Sequence, residues 1–154
     1  MPFSQELFDS ALALYQVNPE TQATLKRAVS TAYYAIFHFL IEDACQNWTR
    51  SEQRFALARV FEHKRMADAS SSRVAKHKNA TGGSPEFHLY SVANAFCQIQ
   101  QKRHQADYDL SSSFSATDVE LDLRLVANAF ASWNVIQNEQ IAHDYLFSLL
   151  FKER

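Results

Sequence analysis

The sequence predicts an all-α fold, an antiparallel up-and-down bundle of five to six helices in a single domain over residues 1–154. Three observations carry it. Only two Gly and three Pro occur in a chain whose hydrophobic content is 47%, and a sheet protein of this length needs more turn residues. Apolar side chains recur at helical spacing through most of the chain. The longest such stretch, LKRAVSTAYYAIFHFLIEDAC from Leu25 to Cys45, has no Gly or Pro and is apolar round most of its circumference. Such a helix belongs in the middle of a bundle, with neighbours on several sides.

Each element follows in order. Ser4 reads as the cap of a first helix running to Val17, with Leu7, Phe8, Ala11, Leu12, Leu14 and Tyr15 inward. Asn18-Pro19-Glu20 is a helix-start signal, Asn as cap and Pro first, for the central helix, which ends near Asn47. Ser51 can cap a third helix carrying Phe55, Leu57, Ala58, Val60, Phe61 and Met66. After Ala67 the period fades into DASSSRVAKHKNATGGSP, read as a loop with at most one helical turn at Arg73 to His77, and as the most mobile segment. Ser84-Pro85-Glu86 starts a fourth helix that runs to about His104. A polar loop follows, pinned by Tyr108, Leu110 and Phe114. Thr117 to Glu120 fits a capping box for a long helix, and the polar patch Gln137 to Gln140 separates or bends off a last one, Ile141 to Phe151.

Composition excludes several classes. A net charge of −2 gives no overall bias toward nucleic acid or anionic membrane. The charge-free run of the central helix, Ala28 to Ile41, is too short to span a bilayer. The start, MPFSQELFDSA, has no basic head before an apolar run, so no signal peptide is expected. Cys45 and Cys97 are isolated in apolar contexts, which suits reduced core thiols in a soluble, cytoplasmic protein. No cofactor or metal site is expected: His38 and Glu42 lie one turn apart, but no third ligand follows at a telling spacing. Neither serine run, Ser70 to Ser72 or Ser111 to Ser113, forms a nucleophile elbow, and Gly82-Gly83 do not lead into a Lys-Ser or Lys-Thr phosphate loop.

A polar row crosses the central helix. Arg27, Tyr34 and His38 share a face, with Thr31 beside them and Cys45 further along. Burying an unpaired Arg or His is costly, so the row either finds partners inside the bundle or faces a cleft or interface. Arg103, Asp107 and Tyr108 form a second group: Asp107 pairs with Arg103 and Tyr108 plugs the loop, or Arg103 takes a nucleotide phosphate with Arg27 and Tyr34 across a groove. Arg59 to Lys78 holds six Lys/Arg against Glu62 and Asp68, with His63 and His77 in addition. That run reads as a solvated loop or as a track for a phosphate backbone. Asp107 to Asp122 carries five acids and no base, so the two patches could also meet in self-assembly.

RAVSTAYYAIFH (Arg27 to His38) together with RHQADYDL (Arg103 to Leu110) resembles the HEPN family of prokaryotic all-α domains, in its small stand-alone branch. Phe61-Glu62-His63 through Met66 sits where that branch tends to have an aromatic, a His and a Met. The resemblance covers about residues 5 to 135 and implies a dimerising antiparallel bundle tied to RNA or nucleotides. It also implies a nucleotidyltransferase-type partner in a toxin–antitoxin or defence pair. Nuclease members leave four to six residues between an Arg and a following His and need no metal. No such spacing occurs here: Arg59/His63 and Arg73/His77 leave three residues between, Arg27/His38 leaves ten, and Arg103 and His104 are adjacent.

The leading expectation is therefore a homodimeric, nucleotide- or RNA-associated module. Its candidate contacts are Arg27, Tyr34, His38, Arg103, Asp107 and Tyr108, and no catalytic residue is assigned. The alternatives are a non-enzymatic protein–protein interaction module, and a residual metal-independent ribonuclease built on Arg59, His63, Arg73 and His77.

Overall fold

The computed structural model describes residues 1–152. Among them the chain is all-helical, with seven α-helices, one short 3₁₀ turn and no strand. The helices are α1 (Phe3–Val17), α2 (Gln22–Gln46), α3 (Arg54–Ala58), α4 (His63–His77), α5 (Pro85–Tyr108), α6 (Ala116–Ile136) and α7 (Gln140–Leu150), with the 3₁₀ turn at Ser51–Gln53. No helix among these residues is long and apolar enough to cross a membrane.

The sequence's apolar rod is the hub. α2 packs against α1, α3, α5, α6 and α7. Its inward side chains include Leu25, Val29, Tyr33, Ile36 and Leu40, and Ala28, Ala32 and Ala35 are fully buried. Those alanines stand at i, i+4 and i+7, a flat stripe that lets a neighbouring backbone approach closely. One contiguous core includes residues from α1, α2, α4, α5, α6 and α7.

Several helix boundaries differ from the sequence reading, each for a local polar reason. α1 starts at Phe3, and Ser4 is inside it: the Ser4 N–H and hydroxyl both donate to the Glu42 carboxylate at 2.9 and 2.5 Å, so α2 caps α1 from outside. Asn18 does not cap α2. Its side-chain Oδ1 accepts from the Glu20 N–H two residues on, an Asx-type turn, and Thr21 is the cap, its hydroxyl accepting from the Thr24 N–H. Ser115, not Thr117, caps α6 through the Asp118 N–H. Ser84 caps α5 with Pro85 following, as expected.

The largest difference lies at residues 51–84. The expected third helix is interrupted at Arg59–Glu62, where Phe61 turns into the core while Phe55 is 86% exposed. The segment read as a mobile loop is mostly α4. Its buried stripe is Met66, Ala69, Ser70 and Arg73, at i, i+3, i+4 and i+7. Two of those four are polar, so apolar periodicity could not reveal the face. Ser70 is fully buried and shares a 2.6 Å hydrogen bond with the Tyr145 hydroxyl of α7.

α5 also outlasts its expected end. Asp107 and Tyr108 occupy its last turn, and Tyr108 and Leu110 are 66% and 96% exposed, so neither pins the loop. Phe114 alone does. Gln22 of α2 donates its amide to the Phe114 carbonyl at 2.7 Å and accepts the Phe114 N–H at 2.8 Å.

One buried group works against the fold. Asp122 of α6 is buried, and its Oδ2 has no hydrogen-bond partner among the described residues. Burial pushes its carboxyl up to about 6; Lys102 opposes the shift and Asp118 adds to it. The native state thus holds this proton more tightly than the unfolded chain, so ionisation destabilises the fold. The penalty is complete above about pH 6 and fades as pH falls toward 3.8. Asp122→Asn is expected to raise stability by about 1–3 kcal/mol near pH 8 and by little near about pH 4, as denaturant titrations at the two pH values will read.

Candidate functional site

Arg103, near the end of α5, is the best-supported starting point. It is 9% exposed, and its guanidinium carbon lies 4.8 Å from the centre of the Tyr33 ring, 5.6 Å from that of Tyr34 and 5.9 Å from that of Tyr108. Tyr33 and Tyr34 come from α2, and Tyr108 stands five residues on from Arg103 along α5. Asp107, one helical turn after Arg103, places Oδ2 at 3.6 Å from Nη1 and accepts a 3.3 Å hydrogen bond from the Ser30 hydroxyl of α2. The Arg103 Nε is buried and has no partner among the described residues.

A histidine completes the cluster. The Tyr33 hydroxyl lies 2.6 Å from Nδ1 of His63, the first residue of α4. The His63 ring stacks on Phe37 at 4.2 Å with 18° between planes, and the Gln100 amide donates to the His63 carbonyl at 3.3 Å. Burial, then the charge of Arg103, then that of His38 pull the His63 pKa below its ordinary 6.5. Burial pushes Tyr33 up, opposed by Arg103. For Arg103, burial works against the charge but is outweighed by Tyr34, Tyr33 and Asp107, so the guanidinium stays charged. An open hollow of about 420 Å³, lined by Gln100, Gln101, Arg103, His104 and Gln105, lies alongside.

Compared with protein-family models, curated proteins and solved structures, the chain matches none. Its chemistry is read from its own residues.

Of the sequence candidates, Tyr34, Arg103, Asp107 and Tyr108 come together here. Arg27 is exposed and makes none of these contacts. His38 is half-buried next door, edge-on to Phe3 and Phe37; burial lowers its pKa and Glu42 opposes this. The second set does not form one patch. His63 joins Tyr33, whereas Arg73 is buried and donates to the Asp144 carbonyl of α7 at 3.5 Å. Arg73 and His77 line a separate hollow of about 240 Å³ with Lys76, Ile141, Asp144 and Phe147. Arg59 is exposed beyond the end of α3. No group of three or more His, Cys, Asp or Glu suited to a metal occurs among the described residues.

Sequence reading passed over Tyr33, Phe37, Ser30 and Gln100. The usable signal is spacing: Gln100 is one helical turn before Arg103, and Ser30 one turn before Tyr33 and Tyr34. Nothing in the sequence links His63 to Tyr33, since that contact is between helices. Chemically, the cluster offers a fixed cation with an unused N–H, aromatic faces for stacking, and an uncharged histidine.

Proposed function

We propose that the protein is a nucleotide- or RNA-associated module of HEPN type, an antiparallel bundle that binds a phosphate oxyanion at Arg103. The observation that carries this is the buried Arg103 Nε without an acceptor, on a guanidinium held against three tyrosine rings. Leaving a charged donor desolvated and unpaired costs about 1–3 kcal/mol or more, and an oxyanion is the ligand that removes that cost. Tyr34 and Tyr108 supply faces on which a base can stack. The resemblance of RAVSTAYYAIFH and RHQADYDL supports a homodimer working in the cytoplasm, beside a nucleotidyltransferase-type partner in a toxin–antitoxin or defence pair.

Calorimetric titration of the purified protein with ATP, cyclic nucleotides and single-stranded RNA tests the reading. Binding that disappears in Arg103→Ala is the expected result. No heat at high micromolar ligand overturns it.

A second reading, a protein–protein interaction module, has one observation in its favour. An apolar groove of about 280 Å³ between the ends of α2 and α7 is lined by Trp48, Leu57, Leu146, Phe147, Leu150 and Phe151 among others, with Phe147 and Phe151 largely exposed. A stoichiometric protein partner retained by Arg27→Ala and Arg103→Ala favours it. A ribonuclease built on His63 would use Arg103, not Arg59, as its cation, because Arg103 is the arginine whose charge reaches that ring.

A further inference from the structure

We infer that Tyr33 is a positioning residue that locks His63 in its Nε2–H tautomer, so that the ring offers an oxyanion a neutral N–H donor and offers a hydroxyl no base. The ligand's identity rests on the anion-binding reading above; the tautomer does not.

The argument is a count of protons. Tyr33 is fully buried, and 2.6 Å separates its oxygen from Nδ1, so one hydrogen lies between them. The guanidinium on the other side of Tyr33 has donors only and cannot take the hydroxyl hydrogen. Were Nδ1 protonated, the Tyr33 O–H would have no acceptor among the described residues, because Arg103 and Gln100, the other side chains bonded to that oxygen, act on it as donors. Nδ1 therefore accepts, and in a neutral ring the proton sits on Nε2. A doubly protonated ring fails on the same count and would also face the positive charge of Arg103, with His38 a further opposing neighbour. The stack on Phe37 and the Gln100 bond to the His63 carbonyl hold the ring and backbone in register.

Nε2 has no hydrogen-bond partner among the described residues and is not sealed from solvent. For Nε2 to act as a base, its proton must leave and one must move from Tyr33 to Nδ1, creating a buried tyrosinate. Burial of Tyr33 disfavours that anion. A ribose hydroxyl at Nε2 therefore keeps its proton, and a phosphate oxygen there accepts a hydrogen bond. The ligand class this selects is a phosphate ester that is held and released uncleaved, and the sequence's missing Arg–His spacing agrees with it.

Long-range ¹H–¹⁵N correlation of the ¹⁵N-labelled full chain at pH 7 reads the tautomer directly, with His63→Gln assigning the signals. The expected His63 pattern is an unprotonated Nδ1 and a protonated Nε2. In Tyr33→Phe the ring should become a mixture of tautomers, its pKa should rise toward the ordinary value, and pyrophosphate affinity should fall several-fold. An Nδ1–H or doubly protonated ring in the unaltered protein overturns the inference, as does a ring unchanged by Tyr33→Phe. The expected tautomer with no pyrophosphate binding by the unaltered protein sinks the anion-binding reading and leaves the role of Tyr33 standing.

Discussion

Trp133→Ala is expected to remove about 3–5 kcal/mol of stability, the usual cost of truncating a large buried aromatic. Trp133 is 1% exposed on α6, meets the Tyr145 ring of α7 edge-on at 6.0 Å, and donates its indole N–H to Asp43 Oδ2 of α2 at 2.8 Å. The substitution thus opens a cavity where three helices meet and strips Asp43 of its donor. Against a total of about 5–15 kcal/mol for a domain, it removes about a fifth or more. Trp133→Phe keeps most of the volume and loses the N–H. It should cost less, about 1–2 kcal/mol, because Asp43 is only half-buried and can rehydrate. Urea titration reads both, and the sequence supplies its own control. The other tryptophan, Trp48, is 46% exposed, so Trp48→Ala should stay within about 1 kcal/mol. A Trp133→Ala protein as stable as the parent would mean that α2, α6 and α7 do not share the core described.

The contrast between Trp133 and Asp43 on one side and Ser70 and Arg73 on the other shows what the sequence could disclose. Helices whose inward face is apolar, α1, α2, α5 and α6, announce themselves by period alone. α4 does not, because Ser70 and Arg73 take two of its four buried positions and satisfy themselves on Tyr145 and Asp144 of α7, some seventy residues away. Caps were misplaced for a related reason. Several residue types can cap, and the choice among Asn18, Thr21, Ser115 and Thr117 is decided by which side chain the incoming backbone happens to reach.

The site was half legible for the same reason. Arg103, Asp107 and Tyr108 lie within five residues on one helix, and Tyr34 belongs to the motif on the other, so local spacing found them. The ring that makes the cluster chemically specific, His63, arrives from α4 and is fixed by a hydrogen bond between helices. Its partner Tyr33 looks in sequence like one more core aromatic. Arg27 failed in the opposite sense: it shares a helical face with Tyr34, but that face leaves the bundle before reaching it.

Arg103→Met should separate binding from packing. If Arg103 is there to meet an anion, replacing it by a residue of similar length removes a buried charge and an unpaired N–H while keeping a polarisable chain against the Tyr33 and Tyr34 faces. Stability should then stay level or rise by about 1–2 kcal/mol, because Asp107, the acid that faces the guanidinium among the described residues, lies at the surface and can rehydrate. Binding of ATP or RNA should fall by about tenfold to a hundredfold, the worth of one charge-assisted contact. Arg103→Ala also loses binding, but it opens a void beneath the tyrosines and should cost stability. Arg103→Lys keeps the charge and loses the planar stack, which should leave partial binding. Calorimetry for affinity and urea titration for stability give the two axes. A methionine variant that binds as the parent does would place the ligand elsewhere. One that loses about 3 kcal/mol or more would make the arginine a strut, its contacts with Tyr33, Tyr34 and Tyr108 worth more to the fold than the buried charge costs.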